Sequence, residues 1–209
     1  MVGEGVLHEC LMHNHVESIL VIGRRPCGII HPKLEEIILS DLSDLSSAEN
    51  QLSEYNACFF CSGVSSIRKT EEEYYRLTYA LTLNFAGTLS KINPDMSFCY
   101  ISGAGTDSTE EGRLMWARVK GKTENDLLKL PFKKEYNFRP AFMKPTKGLK
   151  NTLKYYKYIS WMYPLLHLVL PGYFSELSQL GQAMINCILY GFDKNILEVK
   201  DINSLSYKK

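Results

Sequence analysis

Charge of one sign is what this sequence most plainly lacks. Its 24 lysines and arginines stand against 23 acids, for a formal net charge of +1. No long basic block appears before the C-terminal third, so bulk electrostatics points to no nucleic-acid partner. An N-terminal succession of basic, apolar and small-residue regions, the mark of a secretory signal, is also missing. The six cysteines (Cys10, Cys27, Cys58, Cys61, Cys99 and Cys187) are scattered, mostly through apolar segments, and a reducing cytoplasm is the expected setting. The apolar run from Trp161 to Leu170 is interrupted by Pro164 and His167 and ended by Pro171, which makes it too short to span a bilayer as a helix. Neither zinc-ligand spacing nor a Ser-His-Asp arrangement is present, and no metal site is expected. His13 and His15 could chelate in principle, but they close the first helical stretch, where histidine more often serves the helix terminus.

What is there suits one globular domain. With 209 residues and 45% of them hydrophobic, the chain can bury a sizeable core. Short apolar runs, at Ser18 to Ile22, Leu34 to Leu39, Ala57 to Cys61 and Ser97 to Ile101, end in Gly, Ser or Asp. Helical patterns lie between them, the clearest from Thr70 to about Ile92. Thr70 and Glu73 stand there at capping-box spacing, and three successive glutamates complement the dipole of the first turn. Such alternation predicts a doubly wound α/β fold, a parallel sheet with helices on both faces. Cys58 and Cys61 have the spacing of a metal or redox pair. On a strand, however, a separation of three sends the two thiols to opposite faces, and burial is the simpler reading.

Ligands of such sheets sit beyond the carboxyl ends of the strands. Gly23 to Arg25, Ser62 and Gly63, Ser102 to Gly105, and Arg139 with Pro140 all follow predicted strands and would meet on that edge. Beyond Pro145 the texture changes. Lys144, Lys147, Lys150, Lys154 and Lys157 interleave with Tyr155, Tyr156 and Tyr158 ahead of the apolar run. Residues 1–145 are therefore expected to form the dinucleotide-binding part and 146–209 a small helical cap over the substrate. An interfacial role would instead bring residues 150–174 against a membrane surface.

Taken together, the pieces "MVGEGVLHECL", "VIGRR", "YISGAGTDSTEEGRLMWARVKGKTEN" and "FRPAF" resemble an atypical short-chain dehydrogenase/reductase of the NAD(P)-dependent epimerase/dehydratase superfamily. The resemblance runs from Met1 to about Pro145 and returns around Asp201 to Asn203. It implies a Rossmann-like sheet whose first strand ends in a glycine-rich turn that holds the cofactor pyrophosphate. Gly3 matches the last glycine of that turn. The strand and the two glycines before it are not in the sequence. A sheet lacking its central first strand should expose the edges of two neighbours.

The resemblance also assigns roles. Arg24 and Arg25 stand where NAD-preferring members often carry an acid, and paired guanidinium donors suit a 2′-phosphate, so NADP is expected over NAD. Asp41 matches the residue that meets the adenine, and Ser62, Gly63 and Val64 match the loop beside the nicotinamide ribose. Ser102 fits the serine that holds the substrate carbonyl and Lys120 the lysine that holds the ribose, while Trp116 occupies the position of the proton-donating tyrosine. An indole offers one N–H donor and no acidic hydroxyl, so it cannot shuttle a proton. The implied function is an NADP(H)-binding oxidoreductase or epimerase acting on a small carbonyl or sugar-type substrate. The alternative is a catalytically inactive nucleotide-binding or sensing module. Thr106, Ser108, Thr109, Asp107, Glu110 and Glu111, all between Ser102 and the next helix, are candidates to replace the lost acid.

Overall fold

The computed structural model describes residues 1–146, 148–150 and 174–208. Most of the stretch 150–174, with the expected surface contact and the larger part of the expected cap, lies outside the described residues. In chain order the elements are α1 (Val2–Met12), β1 (Ile19–Gly23), β2 (Leu34–Ile38), α2 (Glu49–Leu52), β3 (Ala57–Phe60) and α3 (Glu71–Tyr75). A wide π-type turn over Arg76–Ala80 joins α3 to α4 (Leu81–Ile92). Then come β4 (Ser97–Ile101), α5 (Met115–Leu127), β5 (Lys134–Arg139), β6 (Phe142–Lys144), β7 (Phe174–Glu176), α6 (Leu177–Tyr190), β8 (Ile196–Glu198) and α7 (Val199–Ser206).

The sequence signals for these elements act as expected. Thr70 accepts from the Glu73 amide while the Glu73 carboxylate accepts from the Thr70 amide, so the capping box opens α3. His13 follows the last residue of α1. Gly191, at φ 68°, ends α6 in a conformation that a side chain resists, which is why Tyr190 and Lys194 straddle a turn rather than share a helix face. The connection from β1 to β2, residues 24–33, carries no helix; its Gly and Pro residues suit a loop.

Every strand pair is parallel, and the main strands divide into two sheets. One is β1–β2; the other runs β3–β4–β5–β8. The division falls between β1 and β3. Helices cover both faces. On one face Cys99 and Ile101 of β4 pack with Val6 and Cys10 of α1 and with Leu180 and Met184 of α6. On the other, Phe98 and Tyr100 pack with Phe85 and Leu89 of α4 and Leu127 of α5. Burial on both sides explains why β4 reads as an unbroken apolar run. Cys58 packs with the second cluster and Cys61 with the first, so the two thiols do face opposite ways. Burial raises the pKa of both, Cys61 to about 12, which leaves them as inert thiols rather than nucleophiles.

The C-terminal segment does more than cap. β8 extends the main sheet beside β5, and α6 lies against α1 so closely that a Cβ on Gly181 would meet Glu9 Cγ at 2.6 Å. Residues 177–208 thus help complete the main sheet and its helical cover; the pairing that places them there joins strands far apart in sequence. No helix among the described residues is long and apolar enough to cross a membrane.

One buried acid is out of place electrostatically. Glu135 on β5 is 4% exposed, and its Oε2 accepts from Asn137 Nδ2 at 2.9 Å while Oε1 has no partner among the described residues. Burial, and then the nearby Glu124 carboxylate, push its pKa from 4.5 to about 9. The native carboxyl therefore keeps its proton through a window, from 4.5 to about 9, in which the unfolded one has released it. Native stability falls as pH rises across that window. Glu135→Gln should be more stable than the parent by about 1–3 kcal/mol at pH 8, with the gain vanishing near pH 4. Thermal melts of both proteins across pH 4–9 check this, and a pH-independent difference would contradict it.

Candidate active site at the carboxyl rim

The residues singled out from the sequence gather at the carboxyl ends of the parallel strands. Arg24 and Arg25 follow β1 and are exposed. Asp41 lies just past β2, where its Oδ1 accepts from the Ser43 amide at 2.9 Å and the Ser43 hydroxyl at 2.7 Å. Those two bonds hold its carboxyl below the usual range. Ser62 and Gly63 follow β3 and are exposed, with Val64 half-buried beside them. Gly3, in the first turn of α1, is exposed and packs on Cys61: a Cβ there would come 3.3 Å from Cys61 Cβ. The first bond of α1 runs from the Gly5 amide to the Met1 carbonyl, so the amides ahead of it point out of the helix end as donors.

Ser102, Lys120 and Trp116 converge. Ser102 closes β4 and is buried, its amide donating to the Phe138 carbonyl of β5 at 2.7 Å. Lys120 projects from α5 onto the end of β4. Its Nζ donates to the carbonyls of Ile101 at 3.2 Å and Ser102 at 3.1 Å and stands 5.3 Å from the centre of the Tyr100 ring. Burial outweighs the attraction of Glu124 one turn on and lowers the Lys120 pKa from 10.5 to about 8. Trp116, one turn earlier on the same helix face, lays its indole beside the loop after β4. A Cβ on Gly105 would meet the ring at 3.6 Å and one on Gly103 at 3.9 Å. Gly105 itself sits at φ 85°, a backbone shape that favours glycine there.

Hydroxyl groups next to this cluster are already committed. Ser102 Oγ lies 2.9 Å from Thr106 Oγ1, which in turn donates to the Gly103 carbonyl at 2.7 Å. Because Thr106 spends its proton on that carbonyl, the bond between the hydroxyls is donated by Ser102. Asp107 folds the loop: it accepts from the Thr109 amide and hydroxyl and from the Gly112 amide. Those bonds hold its carboxyl below the usual range, which makes it a poor proton donor. Glu110, at φ 65°, accepts from Asn125 Nδ2 at 2.8 Å. Asp107 and Glu110 thus serve the loop.

A supporting pair was not singled out from the sequence. Glu124, fully buried on α5, takes a bidentate grip on Arg139 at the end of β5, Nε to Oε1 being 3.0 Å. Arg139 also donates to Ser108 Oγ at 2.6 Å and Glu198 at 3.2 Å. One guanidinium therefore ties α5, β5, the loop and the start of α7 together. The signal available in sequence was the four-residue step from Lys120 to Glu124, which puts both charges on one helix face.

No family model matches the sequence, and no curated protein does. The fold does match solved structures. A glucuronic acid dehydrogenase from Chromohalobacter salexigens aligns over 94% of this chain and 73% of its own, with 11% identity and a TM-score of 0.63. The Helicobacter pylori ADP-L-glycero-D-manno-heptose-6-epimerase aligns over 99% and 78%, with 12% identity and a TM-score of 0.64. The Bordetella bronchiseptica enzyme WbmG, solved with NAD and UDP, aligns over 99% and 74%, with 14% identity and a TM-score of 0.65. At such identities the likeness establishes the fold, and it is the Rossmann-like fold that the resemblance in the sequence implied.

The close seat of α5 on the loop gives a direct test. A Cβ on Gly121 would be driven into the Asp107 carbonyl and against the Ser108 amide, both backbone atoms with little room to yield. Gly121→Ala should cost about 1–3 kcal/mol of stability despite alanine's better helix propensity. Denaturant unfolding reads the change, and a stabilised variant would contradict the packing described.

Proposed function

We propose that this protein binds NADP(H) at the carboxyl rim and acts as a short-chain-type oxidoreductase or epimerase on a small carbonyl or sugar-type substrate. The observation that carries the reading is the half-buried Lys120, whose ammonium is set 3.1 Å from the Ser102 carbonyl. A cation desolvated on a helix that otherwise could turn it to water is costly, and such placements concentrate at functional sites.

The residues present fit the cofactor. Backbone donors at the start of α1, beside Cys61, suit a pyrophosphate, and the exposed Arg24 and Arg25 beyond β1 suit a 2′-phosphate. Asp41 would meet the adenine, and Ser62, Gly63 and Val64 would line the ribose next to the nicotinamide. NADP is preferred here on the arginines alone, although WbmG was solved with NAD. When bound, the cofactor would give or take the hydride. Lys120 would hold the nicotinamide ribose, its lowered pKa leaving the amine able to change protonation near neutrality. Ser102 would orient the substrate carbonyl, and the Trp116 indole N–H could donate to it without releasing a proton. The proton would then come from water, since the Ser102 and Thr106 hydroxyls are committed to a chain ending on the Gly103 carbonyl.

A second reading is favoured by Trp116 itself: a catalytically inactive module that binds the nucleotide as a structural or sensing ligand and acts through a protein or membrane surface. Loss of a positioned general acid costs roughly 100- to 10,000-fold in rate. Dinucleotide affinity and turnover against a panel of aldehydes, ketones and sugar nucleotides separate the two. The enzyme reading expects tighter binding of NADPH than of NADH, slow turnover by the parent chain, and faster turnover by Trp116→Tyr by up to roughly 100- to 10,000-fold. NADPH binding without turnover by the parent establishes the binding module instead. Failure to bind either dinucleotide removes both readings.

A further inference from the structure

We infer that a cavity at the end of the fold opposite the carboxyl rim binds a small organic cation with N–H donors, an alkylguanidinium or alkylammonium compound. The site is independent of the cofactor reading. α1 ends at Met12 shortly before β1 begins at Ile19, and α6 ends at Tyr190 shortly before β8 begins at Ile196. Both helices therefore deliver their carboxyl ends to the side where the parallel strands start. The end of α7 is fastened beside them, since Asn186 of α6 donates to the carbonyls of Leu205 and Lys208. Between these helix ends lies a cavity of about 360 Å³.

Its floor is built of acceptors. Gln182, Asn186 and Tyr190 follow at four-residue steps along α6 and share the face turned to the cavity. Asn186 is 3% exposed, and its Nδ2 gives away both protons, to Leu205 at 2.9 Å and Lys208 at 2.8 Å. Its Oδ1 accepts from none of the described residues, and a buried acceptor of that kind is costly until a donor reaches it. Gln182 repeats the arrangement: Nε2 donates to Glu9 Oε2 at 2.8 Å, and the amide oxygen is left over. Ser206 also turns lone pairs outward, because its hydroxyl proton goes to the Asn203 carbonyl at 2.7 Å.

Electrostatics selects the sign of the ligand. The helix ends gathered here carry the negative ends of their dipoles, and the carboxylate of Glu9, 8% exposed, stands behind Gln182. An anion would meet that field unfavourably. Cations already use the surroundings. Lys33 Nζ donates to the His13 carbonyl at the end of α1 at 2.9 Å, and Lys208 Nζ stands 5.3 Å from the centre of the Tyr190 ring. A metal ion is poorly served. His13 and His15 line the wall, but His13 Nδ1 accepts from the His15 amide at 3.3 Å, so its neutral ring carries the proton on Nε2 and has no lone pair to give. At the mouth the Tyr190 and Tyr207 rings are exposed. A guanidinium group suits such a place, with N–H donors for the amide oxygens and a flat face for the rings.

The test titrates the isotope-labelled full chain with butylguanidinium, and with butyrate and butyramide as anionic and neutral compounds of similar size. Butylguanidinium should give saturable NMR shifts at the side-chain amides of Gln182 and Asn186, and the other two none. Tyr190→Leu, at an exposed position, should keep the fold and weaken binding roughly 2- to 30-fold through loss of the cation–π contact. Lys208→Ala removes the tethered competitor and should tighten binding. Absence of saturable shifts with butylguanidinium overturns the inference. So does preference for butyrate, or equal binding of butyramide, which would make this a site for neutral polar ligands. Unchanged affinity in Tyr190→Leu, or weakened affinity in Lys208→Ala, would also contradict it.

Discussion

The ammonium of Lys120, partly withdrawn from water and laid on the carbonyls of Ile101 and Ser102, is the contact around which the rim is organised. Desolvating a cation needs compensation, and here it comes from two carbonyl dipoles, the Tyr100 ring and Glu124 one turn away. Those partners fix where α5 crosses the end of β4. The crossing in turn sets Trp116 beside Gly103 and Gly105 and brings Gly121 hard against the loop backbone at Asp107. Glu124 then completes the chain of constraint by gripping Arg139, so a single helix face aligns β4, β5 and the intervening loop.

That arrangement explains why Asp107 and Glu110 are poor substitutes for a missing phenol. Asp107 is consumed in closing the turn, Glu110 in holding Asn125, and Ser102 with Thr106 form a short relay that ends on a backbone carbonyl. Donors remain at the site, in the indole and the ammonium, but none of the side chains gathered there both gives up and regains a proton readily near neutrality except Lys120. Polarising a carbonyl and supplying its proton are thereby separated, which is the chemical tension between the two functional readings.

Much of this was legible in the sequence, where it depended on local pattern. The β4 run, the capping box at Thr70 and the opposed faces of Cys58 and Cys61 follow from short-range periodicity and cap chemistry. The rim residues were legible because each turn comes straight after an apolar run. Even the split in the sheet could be expected from a missing strand, and the structure places it between β1 and β3. What escaped were pairings across the chain. Arg139 meets Glu124, β8 joins β5, and α6 settles on α1 through Gly181, contacts between segments whose spacing carries no periodic signal. The helix-free passage from β1 to β2 also escaped, since strand-helix alternation elsewhere outweighed its Gly and Pro content.

The Lys120 side chain reports on the central claim most directly. In a chain labelled at lysine Nζ, NMR titration should find one ammonium losing its proton near pH 8, well ahead of the others, and moving to higher pH when NADPH is added, because a bound polyanion favours the charged amine. A Lys120 that titrates at the ordinary lysine value of 10.5, unmoved by NADPH, would contradict the account.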